Sequence, residues 1–93
     1  CDGGFAEYVV VPEWNLIELP ANVSFEAAAM LEPMCVAAHA IRNLPIKKDD
    51  TIAVCGLGTI GLMIMMLLRV QGIKKVLAIG NKTFQLEIMK KME

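Results

Sequence analysis

The sequence predicts an α/β fold whose strands form a parallel sheet, and three observations carry this prediction. Residues 51–55 (TIAVC) form an uncharged β-rich run that leads directly into a cluster of glycines. An apolar stretch with helical spacing follows from Thr59 to about Gln71, and a second β-rich run covers Lys75 to Ile79. Because a strand–helix–strand crossover is right-handed, the two runs should become parallel neighbours, followed by a second helix from Thr83 to Met92.

Both faces of this sheet should be covered. The run Thr51 to Cys55 shows no polar alternation, as expected of a parallel strand between two layers of helices. The helix from Thr59 is apolar on nearly every side, so both its faces should be covered too, and Gly72 stands where a glycine ends a helix. Two parallel strands are too few for a stable sheet, so further strands are expected after Glu93.

The first half predicts short strands and short helices. Residues Phe5 to Leu19 are β-rich and interrupted by Pro12 and Asn15, which predicts two short strands around a turn. Ser24 is a suitable N-cap for a short helix from Phe25 to Leu31.

A proline should divide the helical region that follows. Pro33 disfavours helical geometry at Glu32, so we expect the first helix to stop there and a second helix to run from Pro33 through Arg42. The second helix should end near Asn43, and residues 47–50 (KKDD) should form a polar turn before the first strand.

The amino-acid composition argues against nucleic acid and membranes as binding partners. Nine basic and ten acidic side chains give a net charge of −1, which leaves no excess charge to attract nucleic acid or an anionic membrane. The longest apolar run, Ile60 to Leu68, is shorter than the roughly 20 residues that a membrane crossing needs. Cys1, Cys35 and Cys55 have no paired spacing, which favours the reducing cytoplasm. A hydrophobic fraction of 56% in so short a chain suggests apolar faces that meet another part of a larger protein.

Gly56, Gly58 and Gly61 have the spacing of a dinucleotide-binding turn and lie between a predicted strand and a predicted helix. In such a turn the first glycine permits a sharp bend, the second lets the backbone approach a pyrophosphate, and the third lets the helix pack closely on the strand. The backbone N–H groups near Thr59 and Ile60 would then face the anion at the positive end of the helix dipole. The alternative is a glycine-rich turn that binds nothing.

The end of the second strand bears on the choice of cofactor. Sites for NAD commonly place an acidic residue there, which hydrogen-bonds the ribose hydroxyls. Here the sequence reads Gly80, Asn81, Lys82, so no carboxylate would repel a 2′-phosphate, Asn81 can donate a hydrogen bond and Lys82 can supply a positive charge. This favours NADP, with NAD as the alternative. The competing interpretation treats Lys82 as an ordinary surface charge.

Glu32, Cys35 and His39 are candidate metal ligands. At a helix break the backbone would fix the orientation of Glu32, and the N-terminus of the next helix would keep its carboxylate ionised. Cys35 and His39 are four residues apart and share a helical face, a spacing that suits two metal ligands. The competing interpretation treats Cys35 as a small apolar residue and His39 as a hydrogen-bonded core group.

Three stretches together carry a resemblance to a known family: residues 3–20 (GGFAEYVVVPEWNLIELP), 28–42 (AAMLEPMCVAAHAIR) and 54–65 (VCGLGTIGLMIM). The chain resembles the zinc-containing medium-chain dehydrogenases/reductases, in the branch of sorbitol, threonine and related polyol or alcohol dehydrogenases. The resemblance implies that residues 1–43 are the C-terminal part of a GroES-like catalytic domain with its linker helices. Residues 44–93 would be the N-terminal part of a Rossmann domain. The implied fold class is thus α/β, a partial Rossmann unit (βαβα) preceded by short strands and two short helices.

The resemblance also implies an activity. Glu32 matches the family's glutamate near the catalytic zinc, which it ligates directly or through water. Zinc would act as a Lewis acid while hydride passes between an alcohol or polyol substrate and the nicotinamide cofactor. The other zinc ligands would lie outside this chain, so the isolated chain is expected to be inactive. Gly80, Asn81 and Lys82 look like the Gly, Ser, Arg ending of NADP-preferring alcohol dehydrogenases, and homo-oligomers are usual for the family.

Two other functions stay open. A zinc-free oxidoreductase similar to the quinone reductases would keep the NADP site and lack the metal. A non-catalytic nucleotide-binding or assembly module would use its unfinished sheet edge to recruit another chain.

Overall fold

A computed structural model describes residues 3–91 of the 93-residue chain. Its regular elements are, in chain order, a 3-10 turn (Glu13–Asn15), α1 (Phe25–Ala29), α2 (Leu31–Arg42), β1 (Thr51–Cys55), α3 (Thr59–Val70), β2 (Lys75–Ile79) and α4 (Thr83–Lys90). The two strands pair in parallel, from Thr51 opposite Lys75 to Cys55 opposite Ile79. The described part of the chain is therefore α/β with a βαβα order, compatible with a partial Rossmann-like unit.

The boundaries of the βαβα half agree with the sequence prediction. α3 begins at Thr59 and ends at Val70, and Gly72 adopts a left-handed φ of 82°, the conformation that favours glycine after a helix. α4 ends at Lys90, while Met92, where the predicted helix ended, lies outside the described residues. Among residues 3–91 no helix combines the length and the apolar character needed to cross a membrane.

The core lies on one side of the sheet, where α2 packs against α3 and α3 packs against β1. Ile41 from α2, Val54 from β1, Leu68 from α3 and Ile73 from the loop before β2 form a buried cluster. Partly buried side chains pack around it: Ile46, Ile52, Ile64, Met65, Leu67 and Val76. This cluster fixes α3 behind the strand and so positions the turn that joins them.

The opposite face of the sheet is open, which corrects the expectation that β1 is covered on both faces. Of the residues in β1 only Val54 is buried. The residues of its other face are exposed: Thr51, Ala53 and Cys55. In β2, Leu77 is 59% and Ile79 55% exposed. Side chains alternate between the two faces of a strand, and residues 3–91 supply a covering layer to one face alone.

Within residues 3–91 the expectation that α3 is covered on both faces is not met either. Met63 and Leu68 are buried, but Met66 is 45% and Val70 86% exposed. α3 therefore has a side that no described residue covers.

The two short strands predicted within Phe5–Leu19 are wrong, because this segment forms no strand. Pro12 and Leu16 flank the 3-10 turn with extended backbone, but neither belongs to a paired strand. Their large apolar neighbours lie in solvent, with Tyr8 91% and Trp14 85% exposed. A strand needs a hydrogen-bonded partner, and an isolated hairpin is marginally stable in water, so high β-propensity alone leaves this segment unpaired.

Both ends of the helical region agree with the prediction. The Ser24 side chain accepts a hydrogen bond from the N–H of Ala27 (3.2 Å) and so caps α1. At the other end Asn43 is the C-cap of α2, and its N–H donates to the carbonyl oxygen of His39 (3.2 Å).

The break between the helices lies at Met30 and not at Glu32, so the prediction of its position is wrong. α2 already begins at Leu31, which places Glu32 and Pro33 in its first turn. The N–H groups of a helix's first turn have no partner within the helix, so a proline that lacks this group is tolerated there.

Candidate functional site

The glycine turn and the end of β2 lie side by side at the carboxyl edge of the sheet. The N–H of Gly56 donates to the carbonyl oxygen of Ile79 (2.7 Å), which extends the parallel pairing beyond β1. A cleft of about 380 Å³ opens at this edge, lined by Gly56, Leu57, Gly58, Ile79, Gly80, Asn81 and Gln85. The structure therefore brings together four of the residues singled out in the sequence: Gly56, Gly58, Gly80 and Asn81.

The three glycines of the turn differ in what the structure requires at their positions. Gly56 has a left-handed φ of 98°, which a residue with a side chain rarely adopts. A Cβ on Gly61 would overlap the carbonyl oxygen of Gly56, so α3 can lie against the turn only because Gly61 lacks a side chain. Gly58 has neither constraint, since a Cβ there would meet no protein atom within 4 Å. The space above Gly58 is open, as the approach of a ligand to the backbone would require.

The N-terminus of α3 has the electrostatic character of an anion site. Gly58 is its N-cap, no side chain caps it, and its first turn contains no acidic residue. The carbonyl oxygen of Gly58 accepts from the N–H of Leu62 (2.9 Å), so the N–H groups of Thr59 and Ile60 precede the first helical hydrogen bond. Neither Thr59 nor Ile60 is among the residues that line the cleft. Their role toward a cofactor stays a prediction that rests on their backbone N–H groups.

Gly80 is constrained by packing, a reason that the sequence did not reveal. A Cβ at this position would lie 2.9 Å from Cδ1 and 3.1 Å from Cγ of Leu57. Leu57 is 1% exposed, so its side chain has little room to move away. The absence of an acidic side chain at position 80 therefore has a structural reason as well as a consequence for the cofactor.

Gln85 is a cleft residue that the sequence reasoning missed. It is half-buried in the first turn of α4, and its N–H donates to the carbonyl oxygen of Lys82 (3.1 Å). Its carboxamide adds a hydrogen-bond donor and an acceptor to a lining that otherwise offers only the Asn81 side chain and backbone. The location of Gln85 in the first turn of α4 could have predicted its place in the cleft. Side chains in a helix's first turn point back toward the N-terminus of the helix, and α4 begins beside the end of β2.

Lys82 does not line the cleft. Its ammonium nitrogen lies 6.0 Å from the centroid of the Phe84 ring, at the outer limit of a cation–π contact. Within residues 3–91 the cleft lining carries no charged side chain. A positive charge beside a 2′-phosphate thus remains a prediction for Lys82.

The structure does not bring Glu32, Cys35 and His39 together as a metal site. Glu32 and Cys35 are exposed on α2, and Nε2 of His39 is hydrogen-bonded to the side-chain amide of Asn43 (2.9 Å). In the part of the chain that the structure describes, no group of three His, Cys, Asp or Glu side chains could hold a metal ion. Glu32 can supply one zinc ligand at most, so residues 3–91 do not form a zinc site by themselves.

A larger cavity of about 490 Å³ lies elsewhere, lined by Met65, Arg69, Gly72, Ile73, Lys74, Val76 and Met89. These residues come from the second half of α3, the loop before β2, the amino end of β2 and the end of α4. Parallel sheets bind ligands at the carboxyl ends of their strands, so the smaller cleft is the better candidate for a cofactor.

Comparison with known proteins identifies relatives over nearly the whole chain. (R,R)-butanediol dehydrogenase of Bacillus subtilis is 42% identical over 77 residues, which cover 83% of this chain and 22% of that protein. Galactitol 1-phosphate 5-dehydrogenase of Escherichia coli is 36% identical over 89 residues, 96% of this chain and 26% of that protein. The probable D-xylulose reductase A of Aspergillus clavatus is 34% identical over 90 residues, 97% of this chain and 25% of that protein.

No protein-family model and no solved structure matches the chain. The chain spans about a quarter of the length of the curated relatives that it matches. The resemblance found in the sequence is confirmed: over this stretch the relatives of the chain are zinc-containing medium-chain dehydrogenases/reductases that are named as alcohol and polyol dehydrogenases.

Proposed function

We propose that this chain is part of a zinc-dependent oxidoreductase that transfers hydride between an alcohol or polyol and a nicotinamide cofactor, with NADP preferred. Residues 1–43 would end the catalytic domain, and residues 44–93 would begin the cofactor domain. The observation that supports this best is the open cleft at the carboxyl edge of the sheet, where Gly58 offers unobstructed backbone beside the N-terminus of α3. A cytoplasmic homo-oligomer is the expected state of the whole protein.

The cleft residues would bind and orient the cofactor. The backbone at Gly58, Thr59 and Ile60 would hold the pyrophosphate, because its N–H groups lack helical partners and the helix dipole favours an anion. Asn81 and Gln85 would hydrogen-bond the adenosine ribose at the other end of the cleft. The nicotinamide ring, when bound, supplies the hydride acceptor.

The absence of a carboxylate from the described lining of the cleft supports a preference for NADP. Among the described residues no carboxylate lines the cleft, so no negative charge would repel a 2′-phosphate. Lys82 is the nearest cation in sequence. Zinc dependence has separate support: it rests on the family resemblance and on Glu32, which would give one ligand to a site completed by residues outside this chain.

The first experiment is calorimetric titration of the complete polypeptide that contains this chain with NADP and with NAD. Both should bind, and NADP more tightly. Gly58→Ala should weaken binding of both by about tenfold or more, because its methyl group would occupy the space that the pyrophosphate needs. Gly4→Ala is the matched control, since a Cβ at Gly4 also meets no protein atom. Absence of heat with both cofactors would refute the proposal.

The second experiment separates the metal from the cofactor. Turnover of an alcohol or polyol by the complete polypeptide should be lost after chelation and restored by zinc. Turnover that persists without zinc would favour the zinc-free, quinone-reductase-like alternative. The 93-residue chain alone should be inactive, because it offers a single expected zinc ligand.

A further inference from the structure

Lys82 and Phe84 form a contact that the proposed cofactor site does not use. Lys82 is the N-cap of α4, and Phe84 follows two residues later in the first turn. The Lys82 ammonium nitrogen is 6.0 Å from the centroid of the Phe84 ring. Both side chains are exposed, and Phe84 retains 54% of its accessible surface. More than half of the Phe84 surface therefore stays open to solvent at the start of α4.

Lys82 and Phe84 lie outside the cleft, although the residues before and after this pair in the sequence line it. Asn81 and Gln85 are lining residues, whereas Lys82 and Phe84 are not. The cation nearest to the cleft in sequence thus lies near an aromatic ring outside it, at the outer limit of a cation–π contact, and the lining formed by described residues is uncharged. An aromatic ring attracts a cation over its face, so each excursion of Lys82 into the cleft must break that contact.

We propose that Phe84 is a positioning residue that holds Lys82 outside the cleft and so limits the preference for dinucleotides that carry a 2′-phosphate. This rests on the proposed function, because it concerns the adenosine end of the same cleft. A ligand that requires a minor conformation binds more weakly in proportion to the population of that conformation. NADP needs Lys82 beside its phosphate, while NAD has no charge there and gains nothing from it.

An exposed cation–π contact raises the population of the conformation in which the cation lies over the ring by about two- to fivefold. Phe84→Leu removes the ring and keeps an apolar side chain at an exposed position, so it should release Lys82 without disturbing the core. We expect the dissociation constant for NADP to fall about two- to fivefold in this variant, while that for NAD stays the same.

The test is titration of the complete polypeptide and its variants with NADP and NAD at one fixed ionic strength. Phe84→Trp retains an aromatic face and should leave the NADP-to-NAD affinity ratio at or below the wild-type value. In a Lys82→Gln background, Phe84→Leu should no longer change the ratio, because the cation that the ring holds is gone. A merely structural role of Phe84 would change both affinities and would persist in that background.

The inference is overturned if Phe84→Leu leaves the ratio unchanged or lowers it, or if it changes the ratio equally with and without Lys82. In either case the binding of both dinucleotides would still support the proposed function. Failure of every variant and of the wild type to bind either dinucleotide would instead refute the proposed function, and this inference with it.

Discussion

Gly61 shows most directly how one residue controls the geometry of the site. In an ordinary helix a glycine-to-alanine change is favourable by about 1 kcal/mol, because alanine loses less backbone entropy. At Gly61 we expect the opposite sign. The new methyl group would overlap the Gly56 carbonyl oxygen, a backbone atom that cannot rotate away, so Gly61→Ala should destabilise the protein by about 2 to 3 kcal/mol. Denaturant unfolding of the complete polypeptide measures this difference.

Gly58→Ala is the internal control for that measurement. Its Cβ meets no protein atom, so the expected stability loss is only that of a poorer N-cap, about 1 kcal/mol or less, while cofactor binding weakens. Equal stability losses for the two alanine variants would show that α3 does not rest on the turn as closely as the structure indicates.

The sequence predicted those residues whose role depends on the backbone and failed for those whose role depends on side-chain position. Gly56 and Gly61 follow from motif spacing, because a sharp turn and a close helix approach require residues without a Cβ. The packing of Leu57 against Gly80 and the place of Gln85 in the cleft depend on how β2 and α4 meet the turn. The contact of Lys82 with Phe84 depends on rotamers, which no spacing encodes.

At the scale of the element, the start of α1 should respond to pH. The pKa of Glu26 lies below its usual value of 4.5, first because its own backbone N–H bonds the carboxylate and second because the Ser24 side chain does. A pKa lowered by folding stabilises the fold above the unfolded value and loses that contribution as the pH falls through the folded value. We expect the protection factors of the Ala27 and Ala28 amides, measured against the exchange rates of an unstructured chain at the same pH, to fall below about pH 4.5.

Substitutions at the same helix start sharpen this test. Ser24→Ala removes the cap to the Ala27 N–H and should destabilise α1 by about 1 kcal/mol at neutral pH. Glu26→Gln should abolish the pH dependence, and Glu87→Gln, a control on α4, should retain it. Persistence of the pH dependence in Glu26→Gln would assign it to another group.

Element types and boundaries could be predicted where a local signal specifies them. The limits of β1 and β2 follow from apolar runs, and the end of α3 at Val70 follows from Gly72, a glycine with left-handed φ shortly after it. The break at Met30 could not be placed, because proline is compatible with several positions in a helix's first turn. The two strands expected near Tyr8 and Ile17 did not form, because a hairpin that packs against no further strand or helix is marginally stable in water, whatever its β-propensity.

The whole molecule exposes far more surface than its mass requires. Its accessible area is 8035 Å², against about 5,300 Å² for a compact monomer of 10.2 kDa. The radius of gyration is 16.1 Å, where a compact chain of this length would have about 12 Å. The excess lies in apolar residues of the unpaired N-terminal segment and of the open sheet face, such as Trp14 and Leu77. Such faces are normally covered by further strands and helices, which agrees with relatives about four times longer.

The isolated 93-residue chain should therefore self-associate through the open face of the sheet. Its sedimentation should depend on concentration over the micromolar range, because exposed strand edges and apolar faces bind one another. Leu77→Lys places a charge at the centre of that face and should shift the distribution toward monomer. Val70→Lys is the matched control: it replaces another exposed apolar residue, but on α3 and away from the open face, so it should change association little.

If both lysine variants reduce association equally, net charge and not the sheet face controls it. If the wild-type chain stays monomeric at all concentrations, the exposed apolar face of the sheet does not drive association. That result would also count against the assembly-module alternative.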